Sequence, residues 1–120
     1  AGRAIEPLAR DAIQRMLPEE RFGGGEFVGA FWNRDNSIEV DLVGGRDQAT
    51  SREIDFAGSI KWRAQDKFDR GDLSALIQQR ASIPGASEET LLVGVSRSGF
   101  DLDGLNVRLT PENLIAAFTA

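Results

Sequence analysis

Ile38, Val40 and Leu42 alternate with Glu39 and Asp41, and Ile54, Phe56, Ile60 and Trp62 alternate with Asp55, Ala57, Ser59 and Lys61. A period of two between Gly-rich and polar stretches predicts two half-buried strands, 37–43 and 54–62. In each, the apolar set takes one face and the polar set the other. Upstream, Ile5, Leu8, Ala9, Ala12, Ile13, Met16 and Leu17 recur at three- and four-residue spacing. That spacing predicts an amphipathic helix from about Ile5, with Pro7 in its first turn and Pro18 closing it. Phe27 to Asn33 reads as an aromatic-rich strand, and residues 34–37 as a turn. Asp69 to Ile83 predicts a second helix, with Leu73, Leu76, Ile77 and Ala81 inward and Pro84-Gly85 as its stop. Thr90 to Val95 has the pattern of a strand buried on both faces. Residues 106–109 fit a short edge strand, and Thr110-Pro111 supplies an N-cap and first position for a closing helix.

The predicted order is helix, three strands, helix, strand, short strand, helix. Three meandering strands followed by a crossover helix and a central strand make an α/β protein, a mixed sheet with helices on both faces. No repeat, low-complexity tract or linker divides residues 1–120, so one domain is expected. A hairpin symmetric about Thr50 would set Asp41 opposite Ser59 and Glu39 opposite Lys61, with opposed Cβ atoms ~5 Å apart. Those four side chains would then form one cluster, with Glu6 able to join from the first helix.

Composition narrows the chemistry available. The chain has no Cys and no His, which excludes disulfides, thiolate metal sites and Ser-His or Cys-His catalysis. Any metal would need oxygen ligands, favouring magnesium or manganese. The net charge of −5 argues against a broad nucleic-acid surface, because phosphate affinity comes from clustered Lys and Arg. A local patch of Arg63, Lys67 and Arg70 could still touch DNA; the alternative is a solvated loop. No apolar run approaches the ~20 residues of a membrane span, no secretory signal pattern opens the chain, and a cytoplasmic location is expected. The opening Ala-Gly-Arg runs directly into helical pattern without an initiator Met, the look of a segment from a longer polypeptide. The Gly23-Gly24-Gly25 run lacks the Lys-Ser/Thr continuation of a phosphate-binding loop, so no ATP hydrolysis is expected of this segment.

Several stretches in order carry a resemblance: Gly2-Arg3-Ala4-Ile5-Glu6, Phe31-Trp32, Asp35-Asn36-Ser37-Ile38-Glu39-Val40-Asp41, Lys61-Trp62 and Ser96-Arg97-Ser98-Gly99-Phe100. Together they resemble the PD-(D/E)XK nuclease core, and more specifically the nuclease-like domain at the C-terminus of archaeal-type P-loop ATPases of the AAA+ class. The resemblance implies a restriction-endonuclease-like fold and an ATPase domain in the same chain as partner, with ATP bound only there. It further implies that Asp41 binds a divalent metal, that Lys61 orients the attacking water or stabilises developing phosphorane charge, and that Glu6 acts on a metal-bound water.

At one position the sequence departs from that pattern. The D/E-x-K element reads Ser59-Ile60-Lys61, and a neutral hydroxyl removes one of the charges on which oxygen-ligand cation sites depend. Asp55 is ~13 Å along the strand, too far to substitute. Glu39, opposite Lys61 in the symmetric register, is a possible replacement. The expectation is therefore a degraded nuclease site in an accessory or regulatory module, without cleavage. The alternatives are a metal-dependent nuclease with a rearranged site of Glu6, Glu39, Asp41 and Lys61, and a DNA-binding module that does not cut. Trp32 and Trp62 are expected to be core or helix-packing residues rather than base-stacking platforms. Ser96 to Phe100 is either an anion-binding loop or a tight exit from a buried strand, with Phe100 folding back.

Overall fold

A computed structural model describes residues 4–46 and 53–119. Gly2, Arg3 and the hairpin centre Thr50 lie outside the described residues. Helix α1 (Ile5–Met16) begins after Ala4, and Leu17 turns the backbone extended ahead of Pro18. A short 3-10 turn (Glu20–Phe22) and Gly23, at φ 76°, bring the chain into β1 (Phe27–Trp32). Strands β2 (Glu39–Gly45) and β3 (Phe56–Lys61) follow, each starting two residues later than the alternation predicts. Helix α2 (Arg70–Ala81) starts at Asp69, which accepts from the Asp72 amide while the Asp72 carboxylate accepts from the Asp69 amide. That reciprocal capping satisfies two amides that a helix start leaves without partners. Strand β4 (Leu91–Ser96), β5 (Val107–Leu109) and α3 (Pro111–Thr119) complete the chain. Thr110 caps α3 through its hydroxyl, which accepts from the Asn113 amide.

The strands form one mixed sheet in the order β1-β2-β3-β4-β5. The first two pairings are antiparallel and the last two parallel. This agrees with the expected class and element order. Between β2 and β3 the register is Leu42 to Gly58, Val43 to Ala57 and Gly44 to Phe56, which is the symmetric register about position 50.

The larger core lies between one sheet face and helices α1 and α3: Ala9, Ala12 and Ile13 meet Leu42, Phe56, Ile60, Val93 and Val95, with Leu114 from α3. The other face carries Val40, Ala57 and Ile83, and further along it Phe68, Phe100 and Leu105 lie over Gly94. Two face assignments read from alternation are corrected here. Val40 and Leu42 belong to opposite faces, because β2 carries a bulge. Gly29 pairs with Val43 and Phe31 with Val40, so β2 advances three residues where β1 advances two. The extra residue in Asp41-Leu42 reverses the phase of everything before it. Ile54 likewise packs on the smaller cluster, not beside Phe56. In α2 only Leu76 is buried; Ile77 and Ala81, expected inward, are exposed. The second helix therefore sits on the sheet through a narrow contact, with Ile83 beyond its end supplying part of the burial.

Candidate functional site

Asp41 sits in the β2 bulge, where the hydrogen-bonded ladder to β3 stops after Leu42–Gly58. Its carboxylate replaces the missing rung: Oδ2 accepts from the Ile60 backbone N–H at 2.8 Å. Its carbonyl accepts from Arg10 Nη1 of α1 at 3.0 Å. The half-buried residue is thus held from two elements, and one carboxylate oxygen is committed to the backbone of β3.

Glu6, Arg10 and Gln14 recur every fourth residue and form one row along α1. Arg10 reaches Asp41, and Gln14 reaches Glu26 and Val28 at the start of β1. One turn further back, Glu6 continues this row toward the Val40–Glu39 end of β2, half-buried on the α1 side. Glu39 is exposed and stands in register with Trp32.

Ser59 and Lys61 follow a different face. On β3, Phe56 and Ile60 point to the α1 side and Ala57 to the other, so alternation carries Ser59 and Lys61 to the α2 side. Ser59 is buried, and Lys61 is half-buried with its charge felt by Asp72 on α2. The β2–β3 register ends at Leu42–Gly58, short of the expected Asp41–Ser59 and Glu39–Lys61 pairs, and Glu6 and Lys61 approach from opposite sides of the sheet. Among the described residues no three Asp or Glu side chains come together as a set able to hold a metal ion. Taken with the neutral Ser59 hydroxyl and the committed Asp41 oxygen, the donor set does not fit the divalent cation that the nuclease resemblance implies.

The basic run beyond β3 is partly spoken for. Arg63 makes a two-pronged contact with Asp72, at 2.9 and 2.8 Å. These bonds to Asp72 raise the Arg63 pKa further. Burial pushes the Asp72 carboxyl up, but the bonds from Arg63 and the Asp69 amide, with the charges of Arg63 and Lys61, outweigh it and leave its pKa lowered. Lys67 and Arg70 are exposed. The adjoining hollow, about 450 Å³, mixes Arg63 and Lys67 with Asp66, Asp69 and Asp101, a poor match to a polyanion.

Of the two readings of Ser96 to Phe100, the geometry favours the tight exit. The Arg97 amide donates to the Lys61 carbonyl, the Asp101 amide donates to the Phe68 carbonyl, and the Gly99 carbonyl accepts from the Phe68 amide. The Phe100 ring lies 5.7 Å from that of Phe68. The Ser98 hydroxyl donates to the Arg63 carbonyl. Trp62 packs against the larger core, as expected, whereas Trp32 is 60% exposed and is no core residue.

Three residues that matter to this region escaped the strand-centred reading: Arg10, Gln14 and Asp72. Arg10 and Gln14 were signalled by their four-residue spacing from Glu6, and Asp72 by its place three residues after Asp69 at a helix start.

The chain matches no family model, no curated protein and no solved structure.

Proposed function

We propose that this chain is a PD-(D/E)XK-type nuclease module that has lost cleavage and serves as an accessory or regulatory domain beside a P-loop ATPase domain of the same chain. The observation that carries the reading is at the β2–β3 fork. The Asp41 carboxylate is used as a structural acceptor for the Ile60 amide, and the neighbouring position that would need a second carboxylate is a buried serine, Ser59. Support for the nuclease ancestry comes from the helix, three strands, helix, strand order in one mixed sheet. An acid on β2, Asp41, and a lysine at the end of β3, Lys61, support the same reading.

With Asp41 half committed to backbone, Ser59 neutral and no set of three acids among the described residues, the site lacks the negative charge needed to hold a cation that strongly retains its own water. Lys61, on the α2 side, then faces Asp72 electrostatically rather than a phosphate. What remains is a rigid mixed-sheet scaffold whose polar fork holds β2, β3 and α1 together.

Calorimetric titration of manganese and of DNA into the wild type and Ser59→Glu, followed by cleavage assays of both, tests this. The expected result is no metal binding and no cleavage by the wild type; metal binding gained by Ser59→Glu would strengthen the case for a degraded site. Manganese-dependent nicking by the wild type, abolished in Asp41→Ala, would instead establish the rearranged nuclease. Salt-sensitive retention of DNA without metal would replace the proposal with a DNA-binding module.

A further inference from the structure

The two edges of the sheet are built very differently. Strand β5 is three residues long with Arg108 at its centre, a short charged edge of the kind that resists pairing. Strand β1 is six residues, Phe-Val-Gly-Ala-Phe-Trp, without a charge, and Phe27 and Trp32 are 40% and 60% exposed. Uncharged exposed edges of this length are templates for another strand.

Which backbone groups of β1 face outward follows from two bonds. The Val28 amide donates to the Gln14 side chain at 3.1 Å, so Val28 points away from β2. The Asn33 amide donates to the Ile38 carbonyl, so Asn33 points toward β2 and Trp32 away from it. Alternation makes Val28, Ala30 and Trp32 the outward set. Gln14 seals only the first part of this edge: its amide nitrogen donates to the Glu26 carbonyl at 2.7 Å while its oxygen accepts from Val28. It thereby mimics a passing strand. Ala30 and Trp32 have no such cover among the described residues.

The charges flanking β1 select the partner. Exposed Glu26 lies four residues before Ala30 and exposed Arg34 four residues after it. If a second copy pairs antiparallel about Ala30, Glu26 of each copy falls opposite Arg34 of the other. Ala30 then meets Ala30, and Val28 meets Trp32. This register uses the outward set and no other: Ala30 exchanges both bonds with its counterpart, and Trp32 donates to the Val28 carbonyl across the axis. Within one chain Glu26 and Arg34 flank opposite ends of the six-residue β1 and do not meet.

We infer that β1 is a self-association edge, joining two copies into a continuous ten-strand sheet, with Gln14 as a removable guard. Dimerisation replaces the Gln14 bond at Val28 by one from the second copy's Trp32 carbonyl, while Arg34, in the turn after β1, brings its charge and not its amide toward Glu26. The exchange is close to neutral, and the new bonds at Ala30 and Trp32 supply the gain.

Sedimentation of the chain over a concentration series reaching the high micromolar range tests this. The wild type is expected to show a reversible dimer, and Gln14→Ala to dimerise more tightly because the competing amide is gone. Glu26→Arg or Arg34→Glu alone places like charges across the axis twice and is expected to weaken the dimer about tenfold, while the double exchange restores it. Ala30→Pro removes an outward N–H without touching the β1–β2 ladder and is expected to abolish dimerisation with the circular dichroism spectrum retained. A wild type and Gln14→Ala that both stay monomeric would overturn the inference, as would a dimer indifferent to the charge exchange.

Discussion

The carboxylate of Asp41 substitutes for a strand–strand rung at the β2 bulge, where the β2–β3 ladder ends, and its energetic role follows from that. Removing the acceptor leaves the Ile60 amide without its partner in a half-buried seam, a loss of about 1–3 kcal/mol. Asp41→Ala is therefore expected to lower the urea midpoint by an amount in that range, and Asp41→Asn by less, because the carboxamide oxygen still accepts. A carboxylate kept only to hold a metal would give the opposite order in metal-free buffer, with Asp41→Asn relieving an uncompensated charge. Asp41 could be singled out by reading residues alone, since an acid in an otherwise apolar strand is an anomaly. That Asp41 bonds to Ile60 could not, because the partner is a backbone group 19 positions away whose exposure depends on where the ladder ends.

Elements came through the sequence unevenly. The strand pair 37–43 and 54–62 was visible by alternation and its register by symmetry, but the faces of β2 were misassigned, since one inserted residue reverses a period of two. Two glycines on neighbouring strands show how unevenly the sheet is packed. A Cβ at Gly44 would sit 2.0 Å from the buried Phe56 ring opposite it, whereas one at Gly29 meets nothing within 4 Å. Gly44→Ala is expected to cost about 1–3 kcal/mol through displacement of Phe56, and Gly29→Ala to be neutral or to stabilise by about 0.5–1 kcal/mol. Thermal melts of the two variants side by side check the contrast. Helix α2 shows the converse case. Its N-cap is written plainly in Asp69 and Asp72, yet its inward face was overestimated, because spacing alone cannot tell how far a helix stands off the sheet.

The molecule as a whole carries two carboxyls whose titration pulls stability in opposite directions. Asp55 is packed beneath Gly23 and Gly25, with Arg46 at 3.7 Å. Burial raises its pKa, with Glu53 adding to the effect and Arg46 opposing it. A raised folded value means that the native state takes up this proton more readily, so stability rises as pH falls through the Asp55 pKa. Asp72 is lowered, so its contribution is complete above the ordinary carboxylate range and is lost as pH falls through its folded value. The expected profile improves modestly below neutral and then declines in stronger acid. Chemical denaturation across pH should show the rise removed by Asp55→Asn and the acid decline blunted by Asp72→Asn. No described helix is long and apolar enough to cross a membrane.

By itself the sequence determined the class, the order of elements and the hairpin register as far as Leu42–Gly58, because each is encoded in local periodicity or symmetry. Only the tertiary structure decided that Val40 and Leu42 part company, that Glu6 and Lys61 approach from opposite sides, and that Arg63 is bound to Asp72. The physical reason is common to all three. Each depends on how two elements distant in the chain are phased against one another, and a single bulge or a helix's stand-off changes that phase without altering the pattern that predicts the elements.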